Sequence, residues 1–157
     1  MGRKLAFVLA SSEHGTMIVN RFDYRMINET EGFGVGFQIL NTAQFDPEEV
    51  KMAVQLLQIR RKHHGDGVIA IDGGANIGVH TVEWAKAMTG WGSVLAIEAQ
   101  ERIYYALAGN VAINNCFNAT AINAAILARS ITAHPRRGSQ CPLLAGEIRE
   151  LSGQPCR

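Results

Sequence analysis

Short apolar stretches separated by turn residues fill the first forty positions of the chain and predict strands. Residues 5–10, 16–20 and 34–40 are the three candidates. Glycines at 32, 34 and 36 alternate with bulky apolar residues, which indicates a strand with one face built for close backbone approach. A glycine-rich nucleotide loop is the alternative, but no helical pattern follows it at once, so the strand is preferred.

A helix is predicted from Asp46, which is followed by Pro47 and two glutamates. Aspartate can cap a helix, proline suits the first helical position, and acidic side chains favour the positive end of the helix dipole. The basic run at residues 60–64 complements the other end, and Gly65 stops the helix. We interpret this run as a solvated helix end rather than a nucleic-acid patch, and its adjacent histidines lack a third metal ligand.

From residue 68 onward, strand and helix patterns alternate. Continuous apolar runs predict buried parallel strands at 68–71 and 93–97, and 119–124 is a third candidate. Apolar residues at helical spacing predict helices at about 77–88 and 101–115. These units predict an α/β fold, a Rossmann-like parallel sheet with a strand-rich N-terminal extension.

The same patterns divide the chain into three parts. Residues 1–66 hold the N-terminal strands and helix, and residues 67–126 form a βαβαβ half-domain. Residues 127–157 contain three of the four prolines and two of the three cysteines. They lack a clear period, so we expect an irregular tail.

Composition narrows the functional classes. The chain has 157 residues, 47% of them hydrophobic and 18% charged, with a net charge of +1, which fits one globular unit and gives no clear nucleic-acid signal. Its three cysteines form neither a disulfide framework nor a zinc signature. The N-terminal apolar run is too short for a signal peptide, and no stretch approaches the ~20 residues that span a bilayer. We expect a cytoplasmic protein with no membrane partner.

The candidate chemistry lies in the turn Asp72-Gly73-Gly74-Ala75-Asn76-Ile77-Gly78. A phosphate-binding P-loop needs lysine and serine or threonine after its last glycine, but Val79 and His80 follow here. A dinucleotide-binding turn needs the pattern G-x-G-x-x-G directly after the strand. Positions 73, 75 and 78 are Gly, Ala and Gly, so Ala75 makes this match partial. The carboxylate of Asp72 would repel a pyrophosphate, whereas it would attract the cationic sulfonium and amino group of S-adenosylmethionine.

A second carboxylate, Glu98, ends the next predicted strand, 25 residues after Gly73. Ligands of open α/β sheets bind at the carboxyl ends of the strands, where such a carboxylate can accept hydrogen bonds from both ribose hydroxyls. Asp72 alone is explained equally well as a turn residue, and Glu98 alone as a helix cap. Their matched positions, one βα unit apart, favour ligand binding.

At these residues the chain resembles the FkbM-type methyltransferases, a class I S-adenosylmethionine-dependent family. Residues 71–81 resemble its motif I, D-x-G-A-N-x-G followed by a threonine. Glu98 with the helix to residue 115 resembles its second motif, and residues 123–126 resemble the segment after its third strand. The resemblance covers about residues 67–126.

The resemblance implies roles for individual residues. Asp72, Gly74, Asn76 and Gly78, in the turn with Gly73 and Ala75, would surround the methionine part of the cofactor, and Thr81 or His80 would reach its carboxylate. Glu98 would hold the ribose. Ala99 and Gln100 would lie near the adenine, with Asn123 and Ala124 on its other face.

The chain departs from the family after Ile126, where no fourth-strand D-x-E-G motif follows. We therefore expect the cofactor half of a methyltransferase joined to an unrelated tail, by truncation or a shifted reading frame, and an incomplete or inactive enzyme is one expectation. The first parallel strand would then have an open edge, which we expect to pair with a second copy in a homodimer or with the N-terminal strands.

The expected reaction is O-methyl transfer from S-adenosylmethionine to a small molecule or glycan that the sequence does not identify. Asp23, His14 and His134 are candidate bases by residue type alone. The alternatives are a non-catalytic dimerising module and an NAD-binding oxidoreductase, which Asp72 and Ala75 disfavour.

Overall fold

The computed structural model describes residues 6–28 and 32–126, together with the backbone of residues 131–133. The described chain begins with an antiparallel hairpin of β1 (Phe7–Ser12) and β2 (Gly15–Asn20). A two-residue antiparallel pair follows, β3 (Arg25–Met26) with β4 (Gly32–Phe33). The first two predicted strands are therefore confirmed, although β1 lies about two residues later than expected.

The third predicted strand, at residues 34–40, is wrong, because this segment belongs to α1 (Val35–Thr42). Val35 and Ile39, one helical turn apart, both join the hydrophobic core. The glycines do permit close approach, but from a helix surface: a Cβ on Gly36 would lie 2.0 Å from the carbonyl oxygen of Asn20. Gly36 therefore permits close packing against β2, and the alternation of glycine with apolar residues does not mark a strand at residues 34–40.

The second helix, α2, spans Pro47–His64, and Gly65 caps its carboxyl end, as expected. Its first turn carries Glu48 and Glu49, and its last turn carries the basic run. Asp46 precedes the helix, but its side chain makes no capping hydrogen bond, so that part of the prediction is wrong. The backbone N–H of Asp46 donates instead to Oε1 of Gln38, at 3.2 Å.

The remaining elements form the predicted βαβαβ unit. They are β5 (Val68–Gly73), α3 (Val79–Ala87), β6 (Gly92–Glu98), α4 (Glu101–Ile113) and β7 (Ala119–Ile126). The strand order is β5-β6-β7, with both pairings parallel. The protein is thus α/β, with a parallel sheet and an N-terminal antiparallel hairpin.

A fourth strand, β8 (Ile131–Ala133), pairs antiparallel with β7. We expected residues 127–157 to be irregular, and this strand corrects that expectation for residues 131–133. The other residues of the expected tail, including His134, lie outside the described part of the chain.

The N-terminal hairpin and the parallel sheet share one hydrophobic core. Met17 and Val19 of β2 belong to the same buried cluster as Ala70, Val82 and Val94. The predicted boundary at residue 67 therefore separates two types of sheet that pack together.

The edge of β5 has no partner strand among the described residues, because β5 pairs only with β6. The side chains of Ile69 and Ile71 are 65% and 63% exposed. The N-terminal strands pair with each other, so the expectation that they would cover this edge is wrong. No helix in the described part of the chain is long and apolar enough to cross a bilayer.

Candidate functional site

The glycine-rich turn joins β5 to α3 and is anchored to the neighbouring strand. The backbone N–H groups of Gly74 and Ala75 both donate to the carbonyl oxygen of Ile97, at 2.9 and 3.0 Å. Gly74, Asn76 and Gly78 have φ values of +80°, +51° and +88°. These conformations suit glycine and asparagine, which explains why the turn has this composition.

Two glycines of the turn, Gly74 and Gly78, have different structural roles. A Cβ on Gly74 would meet nothing within 4 Å, so its backbone is open to an approaching ligand. A Cβ on Gly78 would lie 2.4 Å from Cδ1 of Leu107, which is fully buried. Gly78 therefore allows α4 to pack against the turn, while Gly74 leaves space at the site.

Asp72 lies at the carboxyl end of β5, and only 7% of it is exposed. The hydroxyl of Thr81, which is fully buried, donates a hydrogen bond to its Oδ2. Burial raises the pKa of Asp72 above its ordinary value, while the Thr81 hydrogen bonds and the nearby His80 oppose that rise. The ionised carboxylate is therefore incompletely compensated, and a positively charged ligand group would stabilise it. Thr81 does not bound the cavity described below, and it contacts the site only through its hydrogen bond to Asp72.

Glu98, at the end of β6, is also buried and points to the same face of the sheet as Asp72. Asp72 lies opposite Ala96, and side chains two residues apart on a strand share a face. Its Oε2 accepts the backbone N–H of Asn76 at 3.0 Å, and its Oε1 accepts that of Gln100 at 2.7 Å. Glu98 thus ties together the two turns that follow β5 and β6.

A cavity of about 230 Å³ opens over the first turn. It is bounded by Asp72, Gly74, Ala75 and Asn76 from the predicted site and by Val35, Phe45, Val79 and His80. Glu98 does not bound this cavity directly, but contacts it through the Asn76 amide. Asp72 therefore bounds the cavity, whereas Glu98 is linked to it only through the glycine-rich turn.

Val35, Phe45 and Val79 bound the cavity but were not among the residues predicted for the site. Val35 lay within the segment misread as a strand, and Phe45 precedes the α2 start signal. Both reach the cavity only because the N-terminal elements fold onto the parallel sheet. No local motif marks such contacts.

The residues expected around an adenine lie beyond Glu98. Nδ2 of Asn123 donates to the carbonyl oxygens of Glu98, at 2.9 Å, and Ala99, at 3.3 Å, so Asn123 fixes the turn containing Ala99 and Gln100. Ala124 is buried on the opposite face of β7 from Asn123. Asn123 and the turn are brought together, whereas the Ala124 side chain is not.

A buried asparagine on α4 supports the turn from within the core. The side chain of Asn110 accepts the backbone N–H of Ile18 at 2.6 Å and donates to the carbonyl oxygens of Ile18 and Ile77, at 3.1 and 2.8 Å. Its amide therefore links the N-terminal hairpin to the glycine-rich turn. The resemblance covered Asn110, but its spacing alone gave no sign of this role.

The two described candidate bases, Asp23 and His14, lie at different places. Oδ2 of Asp23 lies 3.4 Å from Nδ2 of Asn76, at the site. His14 is buried in the β1–β2 turn, where it contacts Glu83 and Phe45. Of the two described candidates, Asp23 is the one that contacts the glycine-rich turn, and His134 lies outside the described residues.

Two larger hollows lie at the opposite end of the sheet. One, of about 430 Å³, is bounded by Arg61, Asp66 and Trp91 among others, and one of about 530 Å³ lies next to Val68 and Gly92. Both are at the amino ends of β5 and β6, whereas ligands of open α/β sheets bind at the carboxyl ends. We therefore take the smaller cavity as the candidate ligand site. Within the described residues, no group of three or more histidine, cysteine or acidic side chains is arranged to hold a metal.

No protein-family model and no curated protein matches the chain. Solved structures with partial similarity include wild-type Trm5b from Pyrococcus abyssi (14% identity, TM-score 0.49, 78% of this chain and 29% of that one). A SAM-dependent methyltransferase from Aquifex aeolicus has 18% identity and a TM-score of 0.36, over 51% of this chain and 47% of that one. A SAM-dependent O-methyltransferase from Thermotoga maritima has 16% identity and a TM-score of 0.42, over 76% and 56%. The chain thus spans less than two thirds of the length of each of these proteins.

Proposed function

We propose that the chain binds S-adenosylmethionine at the carboxyl ends of β5 and β6 and derives from a methyltransferase. The observation that carries this proposal is the buried carboxylate of Asp72 beside an open glycine turn. Burial without full compensation favours a cationic ligand over an anionic one. S-adenosylmethionine offers both a sulfonium and an ammonium group.

The rest of the site fits the same ligand. Gly74 leaves the backbone accessible beside Asp72. Each carboxylate oxygen of Glu98 accepts one backbone N–H and retains further acceptor capacity, which two ribose hydroxyls would use. Ala99 and Gln100 follow Glu98 directly and would lie along the adenine.

Asp72 also argues against the competing nucleotide ligands. A pyrophosphate placed on this turn would meet an incompletely compensated negative charge, so NAD is disfavoured. A P-loop would require a lysine where Val79 stands. The proposed cofactor is the one whose charge complements the turn.

We extend the proposal to the FkbM-type family and to O-methyl transfer on the resemblance of residues 71–81. In such a reaction the acceptor hydroxyl is held in line with the methyl group, and positioning supplies much of the rate. Asp23 is the candidate base, because its carboxylate lies beside Asn76. The acceptor is proposed to be a small molecule or a glycan, and the protein is proposed to be cytoplasmic.

Calorimetry with S-adenosylmethionine, S-adenosylhomocysteine and NAD tests the cofactor. We expect binding of the first two and not of NAD. Asp72→Ala and Glu98→Ala should each weaken binding by about tenfold or more, the scale expected for a lost charged hydrogen bond. Glu101→Ala, an exposed acidic position in the first turn of α4, is the matched control and should bind normally. NAD binding alone would overturn the proposal.

The open edge of β5 favours a second candidate, a non-catalytic module that dimerises. The supporting observations are that β5 pairs only with β6 among the described strands and that Ile69 and Ile71 are exposed on one face of this edge strand. A folded dimer that binds neither methyl-donor compound in calorimetry would favour this candidate over the first.

A further inference from the structure

The loop between α1 and α2 reaches the candidate cavity through Phe45. The Phe45 ring meets His80 edge-on, with 5.8 Å between ring centroids, and both residues bound the cavity beside Asp72. His80 stacks in turn on Trp84, at 5.7 Å. The position of the Phe45 backbone therefore sets one wall of the cavity.

His14, from the turn between β1 and β2, holds this loop. Its imidazole is buried, and its Nε2 lies 3.0 Å from the backbone nitrogen of Phe45. A backbone N–H can only donate, so Nε2 must be the acceptor and the ring proton must sit on Nδ1. Nδ1 lies 3.2 Å from Oε1 of Glu83 on α3, which accepts that proton's hydrogen bond. This hydrogen bond is the largest cause that holds the pKa of Glu83 below its ordinary value.

Neighbouring contacts fix the same turn on both sides. The backbone N–H of Glu13 donates to the carbonyl oxygen of Ala43 at 2.9 Å. Nζ of Lys86 donates to the carbonyl oxygen of His14. The hairpin turn thus bridges α3 and the α1–α2 loop, and Glu83 and Lys86 are the charged groups that contact His14.

We propose that His14 is a positioning residue, which holds Phe45 against the cofactor cavity through its neutral, Nδ1-protonated imidazole. The proposal rests on the S-adenosylmethionine function proposed above. His14 does not touch the cavity, so its effect on binding passes through the Phe45 backbone. Sequence reasoning placed His14 among candidate bases, and its buried contacts assign it this different role.

The hydrogen-bond arrangement is tested without any cofactor. Long-range ¹H–¹⁵N correlation spectra of the labelled full chain distinguish the two histidine tautomers, and amide exchange reports the Phe45 N–H. We expect His14 protonated on Nδ1 and a protected Phe45 amide at neutral pH. A proton on Nε2, or an unprotected Phe45 amide, would overturn the proposal.

Binding of S-adenosylhomocysteine by calorimetry tests the consequence. We expect His14→Ala to raise Kd about threefold to tenfold, the equivalent of one net hydrogen bond. His14→Gln should recover most of the affinity, because the glutamine amide can accept from Phe45 and donate to Glu83. His63→Ala, at the exposed end of α2, is the matched control and should leave Kd unchanged.

The outcomes separate this proposal from the cofactor assignment. A folded His14→Ala protein with wild-type affinity but a deprotected Phe45 amide would overturn the positioning role. If His14→Ala fails to fold, Phe45→Ala tests the same wall, and unchanged affinity there also overturns it. Absence of wild-type binding would overturn the cofactor assignment and the positioning role, while the tautomer measurement would still test the hydrogen bond.

Discussion

The carboxylate of Asp72 sits almost out of contact with water and is hydrogen-bonded to Thr81. Its raised pKa means that the folded chain without ligand prefers the protonated form more than the unfolded chain does. Stability from this group is therefore fully present below the ordinary pKa of 3.8 and is lost as pH rises through the folded-state pKa. Near neutral pH the ionised group opposes folding, and a cationic ligand would relieve that opposition.

Asp72→Asn should therefore stabilise the ligand-free protein near neutral pH while weakening cofactor binding. The amide keeps the shape and can accept from Thr81, but it carries no charge. We expect a gain of about 1 kcal/mol, the usual scale of a single substitution, or about 2–4 °C in Tm for a chain of this size. Thermal unfolding at several pH values measures it, and the gain should shrink as pH falls toward the ordinary carboxyl range.

The matched control is Asp66→Asn. Asp66 is exposed and pairs with Arg61 at 2.7 Å, so its loss should change stability by no more than about 0.5 kcal/mol. A lower Tm for Asp72→Asn than for the wild type at neutral pH would show that the charge stabilises the fold, contrary to the expectation.

At the scale of elements, prediction succeeded where one pattern determined the outcome. Continuous apolar runs marked β5 and β6, and acidic start and glycine stop signals marked α2. It failed at α1, because alternating glycines imitate a strand period although Gly36 is there for contact with β2. The predicted glycine-rich turn lies between β5 and α3, where its residues placed it, whereas the approach of Phe45 to the cavity depends on packing between distant elements.

The two glycines flanking the turn should respond differently to alanine. Both have positive φ, which alone costs about 1–2 kcal/mol for a residue with a Cβ. Gly78→Ala adds a clash with buried Leu107, for a total of about 2–4 kcal/mol. The Cβ of Gly74→Ala would meet no atom within 4 Å in the folded chain, so this variant should lose less stability than Gly78→Ala. Because the added methyl group faces the candidate site, we expect a larger loss of cofactor affinity relative to its loss of stability.

Chemical denaturation and calorimetry on the same two variants check this order. A larger stability loss at Gly74 than at Gly78 would contradict the assignment of Gly78 to helix packing. Normal cofactor affinity in a folded Gly74→Ala protein would contradict the open role of Gly74. Gly90→Ala is the control, since it also has positive φ and open space but lies far from the turn, after α3.

At the scale of the whole molecule, the two edges of the four-stranded sheet differ. On one side β8 covers the edge of β7, while on the other side the outer edge of β5 pairs with no described strand. Residues 68–71 of this strand carry no charge and no proline and keep an unbroken register with β6, and Asp72 is the one charged residue of β5. Charges, prolines and breaks in register usually prevent edge strands from pairing. Residues 68–71 have none of them, so this part of the edge can pair with another strand.

Pairing of β5 with a second copy therefore stays our prediction for this edge. Two antiparallel copies of one strand are self-complementary about a twofold axis, which would join the two sheets and bring exposed Ile69 and Ile71 of both copies together.

Light scattering after size exclusion should give twice the chain mass of 17.1 kDa. Ile69→Lys should return the mass to that of one chain, because it places like charges across the paired edge. Leu9→Lys, at a 70% exposed position on β1, is the matched control and should remain dimeric. A wild-type chain that stays monomeric at about 100 μM, a concentration at which even a weak specific dimer forms, would show that this edge is left open.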